Sequence, residues 1–231
     1  MTTIKKTVQV WSPLIRIGHW TLVIAFFTAY FTEDDFMNLH AWAGYIVGIY
    51  LLTRILWGFV GGKYVRFGNF IHSPTKILGY LKNLIARNPQ HYIGHNPAGG
   101  AMVIALLVSL AGTTLTGIKL YAVEENKGPF AITAQQAQIK IQSASLITEA
   151  KAEDDDEDEG SKDLDIDHKA DKQADKQAEE FWEELHELFA NLTLLLVFLH
   201  VGGVIASSII DKEKLVKAML TGEKNIDDTY Q

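Results

Sequence analysis

Eight histidines occur in the 231 residues, and four of them stand where an imidazole is costly. His19, His40, His186 and His200 lie within or at the ends of long apolar runs, whereas His72, His91, His95 and His168 lie in polar segments. Ionisable side chains inside apolar, membrane-length runs are rare and usually functional. One such histidine is readily understood as a hydrogen-bonded packing residue; four need a joint cause. Spacing supplies it. His186 and His200 are 14 residues apart in one continuous run. On a helix, 14 residues turn through about 1400°, within roughly 40° of four full turns, and rise about 21 Å, so both rings share a face at two depths.

The remaining composition narrows what those rings can hold. There are no cysteines, which excludes disulfides, iron–sulfur clusters, cysteine-ligated zinc and covalent haem attachment through C-x-x-C-H. No Asp or Glu falls inside the apolar runs, so a tetrahedral zinc site or a carboxylate-lined ion path is poorly served. The string His186-Glu187 is not a metalloprotease H-E-x-x-H, because Ala190 stands where the second histidine belongs. Two pairs of histidines favour two non-covalent b-type haems, each with both axial positions filled. That arrangement suits electron transfer better than oxygen chemistry.

Four spans position the rings. The runs 14–31, 41–60, 98–118 and 188–210 each approach the roughly 20 residues that cross a bilayer. The first, preceded by Lys5 and Lys6, resembles a signal peptide, but Arg16 and His19 interrupt it and no A-x-A site follows, so an uncleaved span is expected. The expected fold is therefore all-α: a four-helix transmembrane bundle forming one domain over 1–231, with a long acidic, partly disordered periplasmic loop before the fourth helix. Lys and Arg concentrate before the first span, between the second and third, and after the fourth. By the positive-inside rule both termini are cytoplasmic, at the bacterial inner membrane. Antiparallel packing then pairs His19 with His200 and His40 with His186, as bundles build cofactor sites from facing helices.

Hydrophobic residues make up 48% and charged residues 21%, with a net charge of −7. That charge belongs largely to the insertion at 132–180, where Glu153 to Glu159 are seven consecutive acids. Such a run repels itself and is expected to be locally disordered, either as a solvated loop or as a docking field for a basic partner. The repeat ADKQADKQAEE from Ala170 restores helix formers and places Lys176 to pair with Glu179 and Glu180. A helix that starts in solvent and enters the fourth span is expected. The acidic balance gives no reason to expect a nucleic-acid partner.

Other residues carry two readings each. Gly44 and Gly48 follow His40, and Gly202 and Gly203 follow His200; they either make room for flat macrocycles or let helices pack closely. Arg16 and Arg54, near the cytoplasmic ends of the first two spans, either snorkel to headgroups or bind haem propionates. Asn96 and Pro97 suit a helix start, as N-cap and first residue; with His95 they alternatively contact quinone or a propionate.

These residues resemble the bacterial cytochrome b561 and nickel–iron hydrogenase b-type cytochrome family. The resemblance rests on R-I-G-H-W at Arg16 to Trp20, L-H-A-W-A-G-Y at Leu39 to Tyr45 and R-I-L-W-G-F-V-G at Arg54 to Gly61. It continues in G-H-N-P-A-G-G at Gly94 to Gly100, G-P-F-A at Gly128 to Ala131, H-E-L-F-A-N from His186 and L-H-V-G-G-V from Leu199. It covers nearly the whole chain apart from the insertion. The family's ligating histidines match His19, His40, His186 and His200. It implies electron exchange between the membrane quinone pool and a periplasmic redox protein such as a c-type cytochrome or hydrogenase, with quinone as the substrate of any oxidoreductase activity. A haem-containing anchor subunit of a hydrogenase or dehydrogenase complex is the alternative, and a histidine-lined metal transporter a weaker one. A homodimer is compatible with all three.

Overall fold

Helices dominate the computed structural model, which describes residues 6–33, 35–88, 90–131, 160–210 and 214–226. In order they are α1 (Pro13–Tyr30), α2 (Met37–Val60), α3 (Pro74–Ile85), α4 (Pro97–Glu124), α5 (Gly160–Ile210) and α6 (Leu215–Thr221). A short 3-10 turn, Phe67–Asn69, precedes α3. Two four-residue strands, β1 (Lys6–Gln9) and β2 (Glu223–Ile226), stand near the two ends of the chain.

Among the described residues, three helices are long and apolar enough to cross a membrane: α2, α4 and α5 from Lys176 onward. The chain is thus a multi-pass membrane protein. α1 falls just short of the other three. Its 18 residues rise about 27 Å, under the roughly 30 Å of a hydrocarbon core, and Arg16 and His19 dilute its apolar character. The other helices outrun the expected spans. α4 continues past Ile118 to Glu124, and α5 begins at Gly160, so one unbroken helix enters the fourth apolar run as expected. Lys176 Nζ lies 3.5 Å from Glu180, the anticipated pairing one turn along. The acidic run 153–159 lies outside the described residues.

Two units divide the chain, Met1–Thr114 with Phe189–Gln231, and Leu115–Leu188. In the first, one apolar cluster draws on four helices. Ala25 and Phe26 of α1, Val47 and Leu51 of α2 and Leu110 of α4 are buried, with Leu194 and Val197 of α5 packed against them. The outward faces are just as apolar: Ile24, Leu52, Leu56, Val108 and Phe198 are all more than half exposed. Polar side chains turn inward instead. Thr193 is fully buried, with its hydroxyl 2.7 Å from Ser109 Oγ and 3.1 Å from Thr113 Oγ1. Apolar outside and hydroxyl-linked inside is the arrangement that lipid demands.

The expectation of an all-helical chain missed one feature. β1 and β2 pair antiparallel, Lys6 opposite Ile226 and Gln9 opposite Glu223. Gly222 closes α6 in the left-handed region at φ 84°, where its carbonyl receives Val10 N–H at 2.8 Å and Trp11 N–H at 3.1 Å. A Cβ at that position would lie 2.6 Å from the Trp11 carbonyl oxygen, so glycine is required on two counts. Lys224 adds a 2.6 Å bond from its ammonium to the Tyr92 carbonyl. The segments flanking both termini and the 61–96 connection therefore meet in one polar cap.

The unit Leu115–Leu188 holds the end of α4, a turn and the first part of α5. Asn126 and Gly128 both adopt positive φ in the turn. Lys119 Nζ sits 4.3 Å from the centre of the Phe130 ring, which ties the G-P-F-A segment to α4.

Candidate functional site

α1 and α2 are packed side by side, and Gly18 shows how closely. A Cβ there would lie 2.7 Å from the Tyr50 ring, so the glycine before His19 exists to admit Tyr50 from α2. One turn beyond Tyr50, the Arg54 side chain is buried under two rings, with its guanidinium carbon 5.4 Å from the centre of Phe67 and 5.9 Å from that of Phe70. Gly58 leaves space for the Phe67 ring, which a Cβ would strike. Phe70, only 1% exposed, also meets His95, their ring centres 4.6 Å apart; Trp11 meets the His95 ring from another direction at 4.6 Å. Phe67, Phe70, Trp11 and Tyr50 carry no signal of this role in the sequence, yet they hold Arg54 and His95 in place.

Around this cap the rings and charges converge. His19 and His200 are close enough to interact electrostatically, as are His95 and Arg54, and His95 and His200. Of the expected ligands, His19 and His200 are thus within electrostatic reach of each other, and His95 is within reach of both His200 and Arg54. Burial pushes the His95 imidazole down to about 3, reinforced by the neighbouring Arg54 guanidinium. Several buried polar atoms here have no hydrogen-bond partner: His19 Nδ1, Arg54 Nη1 and His95 Nδ1. Buried donors left unmade are expensive, and a cationic donor beside histidine nitrogens suits an anionic, metal-bearing ligand.

Arg16 is placed differently. Its Nη1 donates to the Leu220 carbonyl at the end of α6, so it ties α1 to the C-terminal segment. Asn96 and Pro97 also take the structural role. α4 starts at Pro97, Asn96 Oδ1 accepts the Gly99 N–H at 2.7 Å, and Asn96 Nδ2 donates to Tyr80 Oη at 2.8 Å. Of that motif only His95 keeps an unengaged polar atom facing the cap.

The other two histidines are oriented by hydrogen bonds. His40, in the first turn of α2, has Nδ1 2.9 Å from the Ala29 carbonyl of α1. A carbonyl accepts only, so Nδ1 carries the proton and the lone pair sits on Nε2, the tautomer that binds a metal. In the other unit, His186 Nδ1 lies 3.2 Å from Thr116 Oγ1. Gly117 gives the ring its place, since a Cβ there would come within 2.8 Å of His186 Cε1. Thr116 and Gly117 carry no motif that sequence reading could have flagged.

The glycines sort into two groups. A Cβ on Gly48 would lie 3.0 Å from Thr114, ordinary helix packing, whereas Gly44, Gly202 and Gly203 meet nothing within 4 Å. Gly44 lies one turn beyond His40 on the same face and borders space a flat ring could use, whereas Gly202 and Gly203 are exposed. The residues present thus fit haem: histidines with the right tautomer or an unsatisfied edge, open flanks, and a buried cation. Among the described residues no group of three or more His, Asp or Glu side chains is arranged to hold a bare metal ion.

Comparison with known proteins adds identity to this geometry. The profile of a family described as prokaryotic cytochrome b561 matches residues 10–222. The "Probable Ni/Fe-hydrogenase B-type cytochrome subunit" of Bradyrhizobium diazoefficiens is 28% identical over 148 residues, covering 51% of this chain and 59% of that protein. The protein of the same name from Azotobacter vinelandii is also 28% identical over 148 residues, covering 51% and 61%. The "Probable Ni/Fe-hydrogenase 1 B-type cytochrome subunit" of Escherichia coli K12 is 27% identical over 146 residues, again covering 51% and 61%. The matched stretch spans about three-fifths of these relatives' length. No solved structure matches.

Proposed function

The chain belongs to the prokaryotic cytochrome b561 family, and on that premise we propose that it is a di-haem b-type cytochrome carrying electrons across the bacterial inner membrane, between the quinone pool and a periplasmic redox partner. The observation that carries the proposal is the placement of His186 and His200 on the unbroken α5, 14 residues apart and so about 21 Å along one face. His200 would share one haem with His19, and His186 the other with His40. Haem iron, when bound, accepts and releases single electrons, and two histidines leave it no open position. The protein's own work is to fix the imidazoles, exclude water and neutralise charge. The Ala29 carbonyl and Thr116 hydroxyl would orient His40 and His186. Arg54 would meet a propionate at the His19–His200 end, with His95 beside it for a propionate or quinone; Arg16 keeps to its anchoring role.

The terminal ribbon supports the topology. Because β1 precedes α1 and β2 follows α6, their pairing puts both flanking segments on one side of any membrane. An even number of crossings would follow, with α1 beside the three clear spans as the fourth member of a transmembrane bundle. Lys and Arg concentrate in the segments that form this cap, which argues for a cytoplasmic cap and a periplasmic 132–180 insertion.

Purified full-length protein, reduced with dithionite, should show b-type bands and about two haems per chain by pyridine haemochrome assay. Fewer than one would sink the proposal. His200→Ala should remove the haem at the His19 end and spare the other, and His186→Ala should do the reverse. A second reading, a haem-containing membrane subunit of a hydrogenase complex, is favoured by the names of the relatives. Co-purification with a hydrogenase, and hydrogen-dependent reduction of the bands, would select it.

A further inference from the structure

The connection between α2 and α4 contains an element that neither haem nor electron transfer requires. α3 has three faces. Tyr80 is buried, and Ile77 and Leu84 on the same side are half-buried. Thr75, Lys76, Lys82 and Asn83 are polar and exposed. Between them runs a stripe of Leu78, Leu81 and Ile85, spaced three and four apart, in which Leu78 is 58% and Ile85 83% exposed. A helix facing only water has no use for that stripe, and one packed only on protein would bury it.

The depth of α3 is set by its inner face. Tyr80 Oη receives the hydrogen bond from Asn96, the residue that caps α4, and its ring lies 5.9 Å from that of Tyr92. From Pro97 the α4 sequence runs without a charge to Ile118, so α3 is fastened at the level where α4 enters the apolar layer. A helix at that level with one apolar and one polar exposed stripe lies in the membrane–water interface. Charge points the same way: Lys82 is next to the apolar stripe, Arg87 follows the helix end, and both are exposed. Basic residues at this depth attract anionic headgroups.

We propose that α3 is an interfacial helix, with Leu78, Leu81 and Ile85 among acyl chains and Lys82 and Arg87 against anionic phospholipid headgroups. The chain has no cysteine, so single labels report one site each. Spin labels on Leu78→Cys, Ile85→Cys, Thr75→Cys and Asn83→Cys would be read in full-length protein reconstituted into phosphatidylcholine vesicles, with and without phosphatidylglycerol. At Leu78 and Ile85, collision with oxygen should exceed collision with a water-soluble nickel chelate several-fold, and the order should reverse at Thr75 and Asn83. Adding phosphatidylglycerol should raise the contrast, and Lys82→Gln with Arg87→Gln should abolish that increment. Nickel access at Leu78 and Ile85 equal to that at Thr75 and Asn83 would overturn the proposal, as would exclusion of both reagents by a second copy or another protein. An increment that persists in the double variant would overturn the headgroup contact. The readout needs no bound haem, so it stands or falls apart from the electron-transfer reading.

Discussion

The surroundings of His200 and of His186 differ although both rings ride on one helix. His200 is within electrostatic reach of His19 and His95, and His95 in turn of Arg54, with buried nitrogens unmet by protein and a cation roofed by Phe67 and Phe70. Near His186 lie the Thr116 hydroxyl and a glycine that clears the ring's path. One neighbourhood is prepared for the charge of a ligand; the other fixes the direction of an imidazole. Burial and charge set the potential of a redox group, and so do hydrogen bonds to its ligands. The two neighbourhoods use different levers, so substitutions in them should have separable effects.

The largest separation should come from Gly117→Ala. Its methyl would collide with His186 Cε1, so the haem assigned to His186 should be lost or strongly destabilised while the one at His200 remains, as counted by haem content. Equal loss of both would mean that the neighbourhoods are not independent. Next, Arg54→Leu should keep both haems but lower the potential of one by tens of millivolts. Removing a nearby positive charge favours the ferric state, and Coulomb's law at an effective dielectric of about 20 gives that order. Thr116→Val should act on the other haem with the opposite sign and a smaller amplitude, because losing the acceptor for Nδ1–H makes the imidazole a weaker donor. Potentiometric titration of the two variants tests both, and shifts of the same sign would break the contrast.

The smallest effect is on pH dependence. His95 is held neutral, its pKa lowered to about 3 by burial. An unfolded chain takes up that proton near pH 6.5 and the folded one does not. The stabilisation is therefore complete above pH 6.5 and is lost as pH falls towards 3. Thermal melts between pH 7 and 5 should show a decline in the unmodified protein that flattens in His95→Gln. An unchanged slope would remove His95 from the account of the cap.

Much of the fold, and a set of candidate haem ligands, is legible in the residues themselves. Long apolar runs without carboxylates read directly as spans. Four histidines within or at the ends of them read as candidate ligands, because an imidazole with nothing to bind is costly in lipid. Asn96 and Pro97 mark a helix start because capping is local chemistry. What stayed hidden depended on partners distant in sequence. Nothing about Phe70 or Trp11 says that they flank His95, and four-residue strands near opposite ends of a chain have no local signal. The basic residues of α3 spoke only to orientation, and its helical spacing of Leu78, Leu81 and Ile85 passed unremarked. Gly44 and Gly48 looked alike; only the neighbour, Thr114 or open space, distinguished them.

The terminal ribbon has a consequence for the order of assembly. β1 leaves the ribosome before β2, with α1 to α6 between them. Pairing across nearly the whole chain is the most non-local kind of contact and is formed late. Until then β1 presents an unpaired edge, open to wrong partners. If the proposed topology holds, closure of the ribbon, with Gly222 joining Val10 and Trp11, requires every segment between them to be in place first.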